Sequence, residues 1–327
     1  MSSKTLTPHR FRRGIQLAFF LFCLFIGYKL YLHFLWATGQ SSEFVPKPPS
    51  VEAFLPISAL MAAKRFILTS KWDMVHPAGL TLFFAFIWMA LLFRKGFCGY
   101  ICPVGFVSNL VEQAGRKFNL HKELPTWAEC TLSIPKYLIL GGFVYFIVIG
   151  MSHRQISGFL TLPYNQVAES KMLAFFFDPS GTTLLIVAAL FVLSLFIRNF
   201  WCRFLCPYGA LLGLCSTFSP VAIARDSSSC INCKKCRAAC PAAIKVDQKN
   251  IVHLPECIGC TECVEACPVD NCLSVRAGQQ KASFLTIGLG CLGILFLFYL
   301  IAVFTGHWYA DTTPELIRRY HMIIFNK

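Results

Sequence analysis

Two copies of one twelve-residue pattern constrain this chain more than anything else in it. They are Cys230-Ile-Asn-Cys233-Lys-Lys-Cys236-Arg-Ala-Ala-Cys240-Pro241 and Cys257-Ile-Gly-Cys260-Thr-Glu-Cys263-Val-Glu-Ala-Cys267-Pro268. Each reads C-x2-C-x2-C-x3-C-P, the spacing that holds 4Fe–4S clusters in bacterial two-cluster ferredoxins. Two intervening residues let a tight loop turn three thiolates toward one face. The fourth cysteine is expected to open a short helix pointing away, so that it reaches the other cluster. The expected ligand sets are Cys230, Cys233, Cys236 and Cys267 for cluster one, and Cys257, Cys260, Cys263 and Cys240 for cluster two. The proline after each fourth cysteine suits a helix start, where a missing N–H costs nothing. Zinc also accepts four thiolates, and a lone C-x2-C fits it. Two complete motifs, each closing on Cys-Pro, weigh against zinc, and a reducing cytoplasm weighs against disulfides. Paired clusters pass single electrons, so the motif marks a conduit.

The rest of the chain is not that of a soluble ferredoxin. Of its 327 residues 56% are hydrophobic and only 14% charged, against about a quarter charged in ordinary domains. Five long apolar stretches carry the excess, so an integral membrane protein is expected. The +14 net charge comes without a basic, aromatic-interleaved patch, and nucleic acid is not an expected partner. The bases gather at the ends of apolar runs, where they act as orientation signals.

Lys4, Arg10, Arg12 and Arg13 precede the first run, Ile15 to Trp36. It is too long for a signal-peptide core and reads as a retained span with a cytoplasmic N-terminus. A Pro-rich bend follows, then a short charged stretch from Pro56 to Phe66 that suits a helix lying in the outer interface. The second span ends at Arg94-Lys95, before Phe97-Cys98-Gly-Tyr-Ile-Cys102-Pro103-Val-Gly105 and a basic loop with Arg116, Lys117 and Lys122. The third span is expected from about Tyr137 to Gly150. Then the pattern recurs: Pro163 to Lys171 matches Pro56 to Lys64, and Asp178-Pro-Ser-Gly181 matches His76-Pro-Ala-Gly79. Trp201-Cys202-Arg-Phe-Leu-Cys206-Pro207-Tyr-Gly209, past the fourth span, matches Phe97 to Gly105. The fold class expected is mostly α: a polytopic helical bundle of about five spans with a parallel internal duplication, carrying an inserted α+β two-cluster ferredoxin domain. The expected boundaries are 1–220 for the duplicated membrane domain, 221–280 for the ferredoxin, 281–306 for a fifth span and 307–327 for an extracytoplasmic tail.

A C-x3-C spacing puts both sulfurs on one face of a helical turn. Duplication about a central axis would gather Cys98, Cys102, Cys202 and Cys206 at the membrane border, where four thiolates suit iron–sulfur, copper(I) or zinc. The bland alternative is that each Cys-Pro ends one helix and starts the next. Of the remaining cysteines, Cys23 and Cys291 read as small core residues and Cys272 as a non-ligand. His33, His76, His153 and His307 lie at outer span ends, unpaired in mid-membrane, and haem is not expected. A quinone headgroup could use His76 or Lys29 as proton acceptor; the bland reading is an anchoring histidine and a snorkelling lysine.

The two Cys-Pro-x-Gly motifs and the twin ferredoxin motifs together resemble the NapH family of membrane ferredoxins, whose core recurs in NosR-type regulators and CcoG-type assembly factors. The resemblance covers roughly Phe54 to Pro268. It implies a multi-pass protein of the bacterial inner membrane with a cytoplasmic ferredoxin domain and two 4Fe–4S clusters. It further implies a quinol dehydrogenase or electron-relay subunit, passing electrons between the quinone pool and a partner such as a multihaem cytochrome, ferredoxin or reductase subunit. A metallocentre assembly factor that handles copper on the border thiols is the alternative. The flavin-binding and immunoglobulin-like domains of some relatives have no counterpart among these residues.

Overall fold

In hydrocarbon a backbone must satisfy its own hydrogen bonds, so the apolar runs become helices. The computed structural model describes residues 7–121 and 124–325, and the basic residues Lys4 and Lys122 fall outside them. In chain order it contains α1 (Pro8–Ala37), α2 (Pro56–Thr69), α3 (Pro77–Phe93), α4 (Pro103–Lys117) and α5 (Thr126–Val144), which continues through a π turn to Gly150. Then come α6 (His153–Leu160), α7 (Pro163–Gln166), α8 (Ala168–Phe177), α9 (Gly181–Phe196) and α10 (Pro207–Ser216). The ferredoxin region holds β1 (Val221–Arg225), α11 (Lys235–Ala239), β2 (Ile251–Val252), α12 (Glu262–Glu265), β3 (Leu273–Ala277) and β4 (Gln280–Ala282). The chain closes with α13 (Phe284–Phe304) and α14 (Pro314–Phe325).

The protein is mostly helical, but the expected five spans are not equal. Three helices are long and apolar enough to cross a bilayer by themselves: α1, α5 with its π turn, and α13. A fourth qualifies only if α8 and α9 count together, and that pair is bent by 80°. Asp178 and Pro179 sit at the bend, and Pro179 lacks the N–H that a continuing helix needs. The 17 residues of α3 are apolar but shorter. The third span begins at Thr126, well before the expected Tyr137. Its charged N-terminal part is paired: Glu129 meets Arg203 at 3.0 Å and Lys136 meets Glu256 at 3.2 Å. The two stretches expected to match differ too: α2 is continuous, whereas Pro163–Lys171 breaks at Val167 into α7 and α8.

The fourth cysteines do not open helices. Cys236 and Cys263 lie inside α11 and α12, and Cys240 and Cys267 follow those helices. Cys240 is extended (ψ 117°), as the residue before a proline prefers to be. The Cys-Pro junctions that do start helices are the other two, Cys102-Pro103 and Cys206-Pro207.

The chain divides into two units. The first comprises Met1–Leu21, Phe86–Leu140 and Leu185–Ile294. Its ferredoxin part is a four-stranded antiparallel sheet in the order β2-β1-β3-β4, with Ile223 opposite both Val252 and Val275. Val221, Ile223, Val252 and Val275 are buried, each contributing roughly 1.5–3 kcal/mol of transfer free energy. This part is held on the membrane helices by polar contacts to backbone. The Arg94 guanidinium donates to the carbonyls of Ser216 (2.9 Å) and Leu254. Arg12 donates to the Gly99 carbonyl at 2.9 Å and pairs with Glu262. Gly99 itself is jammed against the second cysteine loop: a Cβ there would stand 2.5 Å from the Ile258 carbonyl oxygen.

The second unit comprises Phe22–Ala85, Gly141–Leu184 and Leu295–Lys327. Here α2 packs beside α6, with Ile26, Leu30 and Val51 forming an apolar cluster with Met172 and Leu173. Lys64 caps the end of the third span, its amine donating to the carbonyls of Ile147 (3.1 Å), Val148 (2.9 Å) and Met151. Those are orphan acceptors of a helix terminus, which a cation satisfies well. The tail is not loose: His321 of α14 bonds Ser170 at 2.8 Å.

Gly99→Ala is expected to destabilise the first unit by about 1–3 kcal/mol, since the added methyl meets backbone that cannot swing aside. A lowered thermal midpoint of the solubilised chain checks it; a midpoint equal to wild type would mean the approach is looser than described.

Candidate metal centres

Two cavities in the first unit gather the motif cysteines. One is lined by Cys230, Cys233, Cys236 and Cys267, together with Cys272. The other is lined by Cys240, Cys257, Cys260 and Cys263. Each loop is coiled by two left-handed residues, Asn232 and Lys234 in the first, Gly259 and Thr261 in the second. Such backbone reversals build concave nests that favour negatively charged groups. All 17 cysteines are free, and aliphatic walls such as Ile223, Ile244 and Val252 complete the second cavity. Four soft donors in a dry, anion-tolerant hollow suit a 4Fe–4S cluster. Among the described residues, no three His, Cys, Asp or Glu side chains close on a single-ion site.

The two cavities differ in cover. Burial raises the Cys240 thiol to about 11. Cys230, at the surface, is instead lowered by the Asn232 backbone and by Arg225. Cys272, read from sequence as a non-ligand, is buried at the wall of the first cavity beside Cys267 and Cys230, and its thiol donates to the Asp226 carbonyl at 3.6 Å. Its only sequence signal is its place at the foot of β3, five residues past Cys267.

Both C-x3-C-P motifs adopt the same local form. The first cysteine lies in a single π turn, Phe97–Ile101 or Trp201–Leu205, rather than in the α turn that the spacing suggested. The second stands extended, and its proline takes the first position of α4 or α10. The Gly209 N–H donates to Cys206 Sγ at 3.3 Å. The four thiols lie near enough to act on one another. Desolvation first, then neighbouring thiols, lift Cys202 to about 12 and Cys102 well above the ordinary range. At Cys98, raised to about 11, Lys95 opposes the rise. A group of buried thiols that becomes anionic together requires a compensating cation.

The second unit contains a buried charge network that sequence reasoning saw only at His76. Lys47 Nζ lies 2.8 Å from Glu52 and 3.5 Å from Glu169, while Glu52 accepts the Gly79 N–H at 2.9 Å. His76 Nε2 donates to the Asn165 carbonyl at 2.7 Å, which leaves Nδ1 facing Glu52 at 3.4 Å. Burial alone would neutralise Glu52, but Lys47 and His76 outweigh it and hold the carboxyl below its usual range. Burial and Lys47 depress His76, yet Glu52 and Glu169 leave it above its usual value. Both glutamates are almost fully buried, and the one available signal was acidic residues flanking a Pro-rich bend in so apolar a chain. Lys29 lies elsewhere on α1, its ammonium 5.9 Å over the Phe25 ring. No contact joins it to His76 among the described residues.

Comparison with known proteins covers both sets of cysteines. Residues 75–121 and 180–221, which include all four border thiols, match the profile of a 4Fe-4S binding domain. Residues 222–275 match that of a 4Fe-4S dicluster domain. The chain is 39% identical over 292 residues to YccM of Escherichia coli (strain K12), named for an inferred role in electron transport, across 87% of this chain and 82% of that protein. It is 33% identical to the ferredoxin-type protein NapH of Haemophilus influenzae (51% of this chain, 55% of that protein). It is 27% identical to the methylamine utilization ferredoxin-type protein MauN of Paracoccus denitrificans (52% and 56%). No solved structure matches.

Cys272→Ser is expected to keep the iron content while altering the EPR spectrum and raising or lowering the potential of one cluster only, because a thiol beside the first cavity is replaced by a harder, smaller group. Loss of half the iron would make Cys272 a ligand instead. Glu52→Gln is expected to cost about 3 kcal/mol, since Lys47 then lies buried beside one distant carboxylate. The pH profile follows from the signs. Glu52 contributes above its unfolded value and its share is lost as pH falls through the folded one. His76 contributes below its unfolded value and its share is lost as pH rises through the folded one. A thermal midpoint that peaks between these limits in wild type, and flattens in the variant, checks both.

Proposed function

This chain belongs to the NapH-like family of membrane ferredoxin-type proteins, and from that membership we propose that it is the electron-relay subunit of a quinol dehydrogenase. As an iron–sulfur electron transport protein it needs clusters, which when bound supply one-electron transfer. The observation that carries the reading is the backbone approach of Gly99 to Ile258. Gly99 follows Cys98 of a border motif, and Ile258 lies between Cys257 and the Gly259-Cys260 turn of the second cavity. Tyr100 adds a hydrogen bond to the Gly259 carbonyl at 3.3 Å. Border thiols and ferredoxin thus share one packed backbone junction, the arrangement a relay requires.

In this reading Cys98, Cys102, Cys202 and Cys206 hold a third iron–sulfur site; the 4Fe-4S profile over both border motifs supports that choice among soft metals. A quinol gives up two protons with its two electrons. His76 can take the first proton at Nδ1, where Glu52 stabilises the resulting charge, and Lys29 offers a cation to the quinolate that this leaves, before the second proton and the electrons go and neutral quinone departs. The ferredoxin domain faces the cytoplasm and α14 the opposite side, in keeping with the bases that flank the spans. The redox partner is a soluble or membrane-attached carrier.

Anaerobically purified chain, reduced with a menaquinol analogue and followed by EPR with iron and sulfide analysis, tests the proposal. Reduced-cluster signals are expected, with more iron than the eight atoms of two 4Fe–4S clusters and a fall to eight in Cys98→Ala/Cys202→Ala. Clusters that stay oxidised would remove the quinol step, and eight irons in both proteins would remove the third site.

A further inference from the structure

The two cysteine loops are repeats of one another, and their differences are directional. Ile231, Asn232, Lys234, Lys235 and Arg237 of the first loop correspond to Ile258, Gly259, Thr261, Glu262 and Val264 of the second. The second loop is covered. A Cβ on Gly259 would lie 3.3 Å from Ile287, 3.4 Å from the Phe93 carbonyl oxygen and 3.5 Å from Arg94 Cβ. With φ +67° and no room for a side chain, only glycine serves there.

Three acids of this half have partners on the chain's own helices, and Asp270 beyond them is exposed. Glu256 pairs with Lys136 at 3.2 Å, Glu262 with Arg12, and Glu265 accepts the His9 backbone N–H at 2.7 Å. The first loop is held only at its helical end, where Arg198 donates to the carbonyls of Arg237 (3.2 Å) and Cys240 (3.3 Å), and its leading arm is bare. Asn232 occupies the position of Gly259 at φ +54°, a conformation asparagine tolerates when nothing crowds its side chain. Ile231 is 64% exposed, and Cys233, Lys234 and Lys235 are exposed. Neither lysine has an ion-pair partner among the described residues. Acids stand nearby and keep their charge: Asp226 accepts from the hydroxyls of Ser228 (2.6 Å) and Ser229 (2.7 Å), Asp247 lines the cavity and Asp270 is exposed. None of them forms an ion pair with Lys234 or Lys235 among the described residues.

We propose that the exposed face made by Ile231, Asn232, Lys234 and Lys235 docks an acidic one-electron carrier protein, so that the cavity of Cys230, Cys233, Cys236 and Cys267 is the outward terminal and that of Cys240, Cys257, Cys260 and Cys263 the inward one. This rests on the electron-relay reading and names the partner's chemistry. An apolar side chain ringed by unpaired bases beside a redox centre is complementary to a carrier whose own centre is ringed by carboxylates. Loops that had to serve the same partner would carry the same charge; here the repeat has kept its cysteines and reversed its charge. The neutralised loop packs on its own chain, and the basic loop is left for another.

The test uses the full chain, loaded with its clusters, in nanodiscs, with an acidic flavodoxin as probe and a basic cytochrome c as control. Flavodoxin is expected to bind at low salt, to weaken as salt rises, and to lose about tenfold in affinity in Lys234→Glu/Lys235→Glu. Lys234→Arg/Lys235→Arg should retain it. Iron content and EPR of the variants, equal to wild type, exclude misfolding. Equal flavodoxin binding by wild type and the charge-reversed chain, or preference for cytochrome c, overturns the proposal. So does a charge reversal whose only effect is on retention by phosphatidylglycerol vesicles, which would assign the lysines to lipid. A chain that carries no reducible cluster fails the relay reading, whereas a loaded chain indifferent to the charge reversal fails the docking face alone.

Discussion

A backbone-to-backbone approach at Gly99 holds the first unit together. One membrane-border turn and one cysteine loop meet where no side chain intervenes, with the Ile258 carbonyl oxygen 2.5 Å from the place a Cβ would occupy. Contacts of this kind leave little freedom, because backbone cannot change rotamer to relieve them. Arg12 and Gln16 of the first helix both donate to the Gly99 carbonyl at 2.9 Å, so the N-terminal helix closes over the same junction. A relay depends on fixed separations between its centres, and this junction fixes the thiols of the border motif relative to those of the second loop.

Buried charge is managed by pairing throughout, as it must be where water is scarce. In the first unit Lys136 and Glu129, both on α5, are matched by Glu256 and Arg203 from segments far along the chain. In the second, Lys47 lies between two glutamates while His76 uses one nitrogen to bond backbone and keeps the other toward Glu52. In the first set Lys136 ties the Glu256 loop of the ferredoxin to α5, and Glu129 ties α5 to the Trp201–Leu205 turn. The second sets His76 Nδ1 between Glu52 at 3.4 Å and the Lys47 ammonium at 3.5 Å, and Glu169 Oε2, buried with no hydrogen-bond partner, adds unspent acceptor capacity to the same network.

What could be read from the chain and what could not divides along lines of sequence distance. The cysteine spacings and the apolar runs are local codes, and the elements they specify lie close to where they were expected: α13, for instance, covers Phe284–Phe304 against an expected span at 281–306. Local reasoning failed where a local rule met a competing one. The helix expected after each Cys-Pro of the ferredoxin loops forms before it, because the third cysteine is already helical and the proline ends the turn. The third span starts earlier than expected, at Thr126, and its charged N-terminal part is paired with Arg203 and Glu256 from far along the chain.

The sequence by itself determined that two sets of four thiols recur at cluster spacing, that a further four recur at the ends of apolar runs, and that the chain belongs in a bilayer. Each of these is written in neighbouring residues, so no fold is needed to read it. Tertiary structure decided which loop is covered and which is bare, where Cys272 stands, and which acid meets which base. Those outcomes join residues as distant as Arg12 and Glu262, 250 positions apart. Electrostatic pairing and steric exclusion act through space, and the order of the chain does not record them.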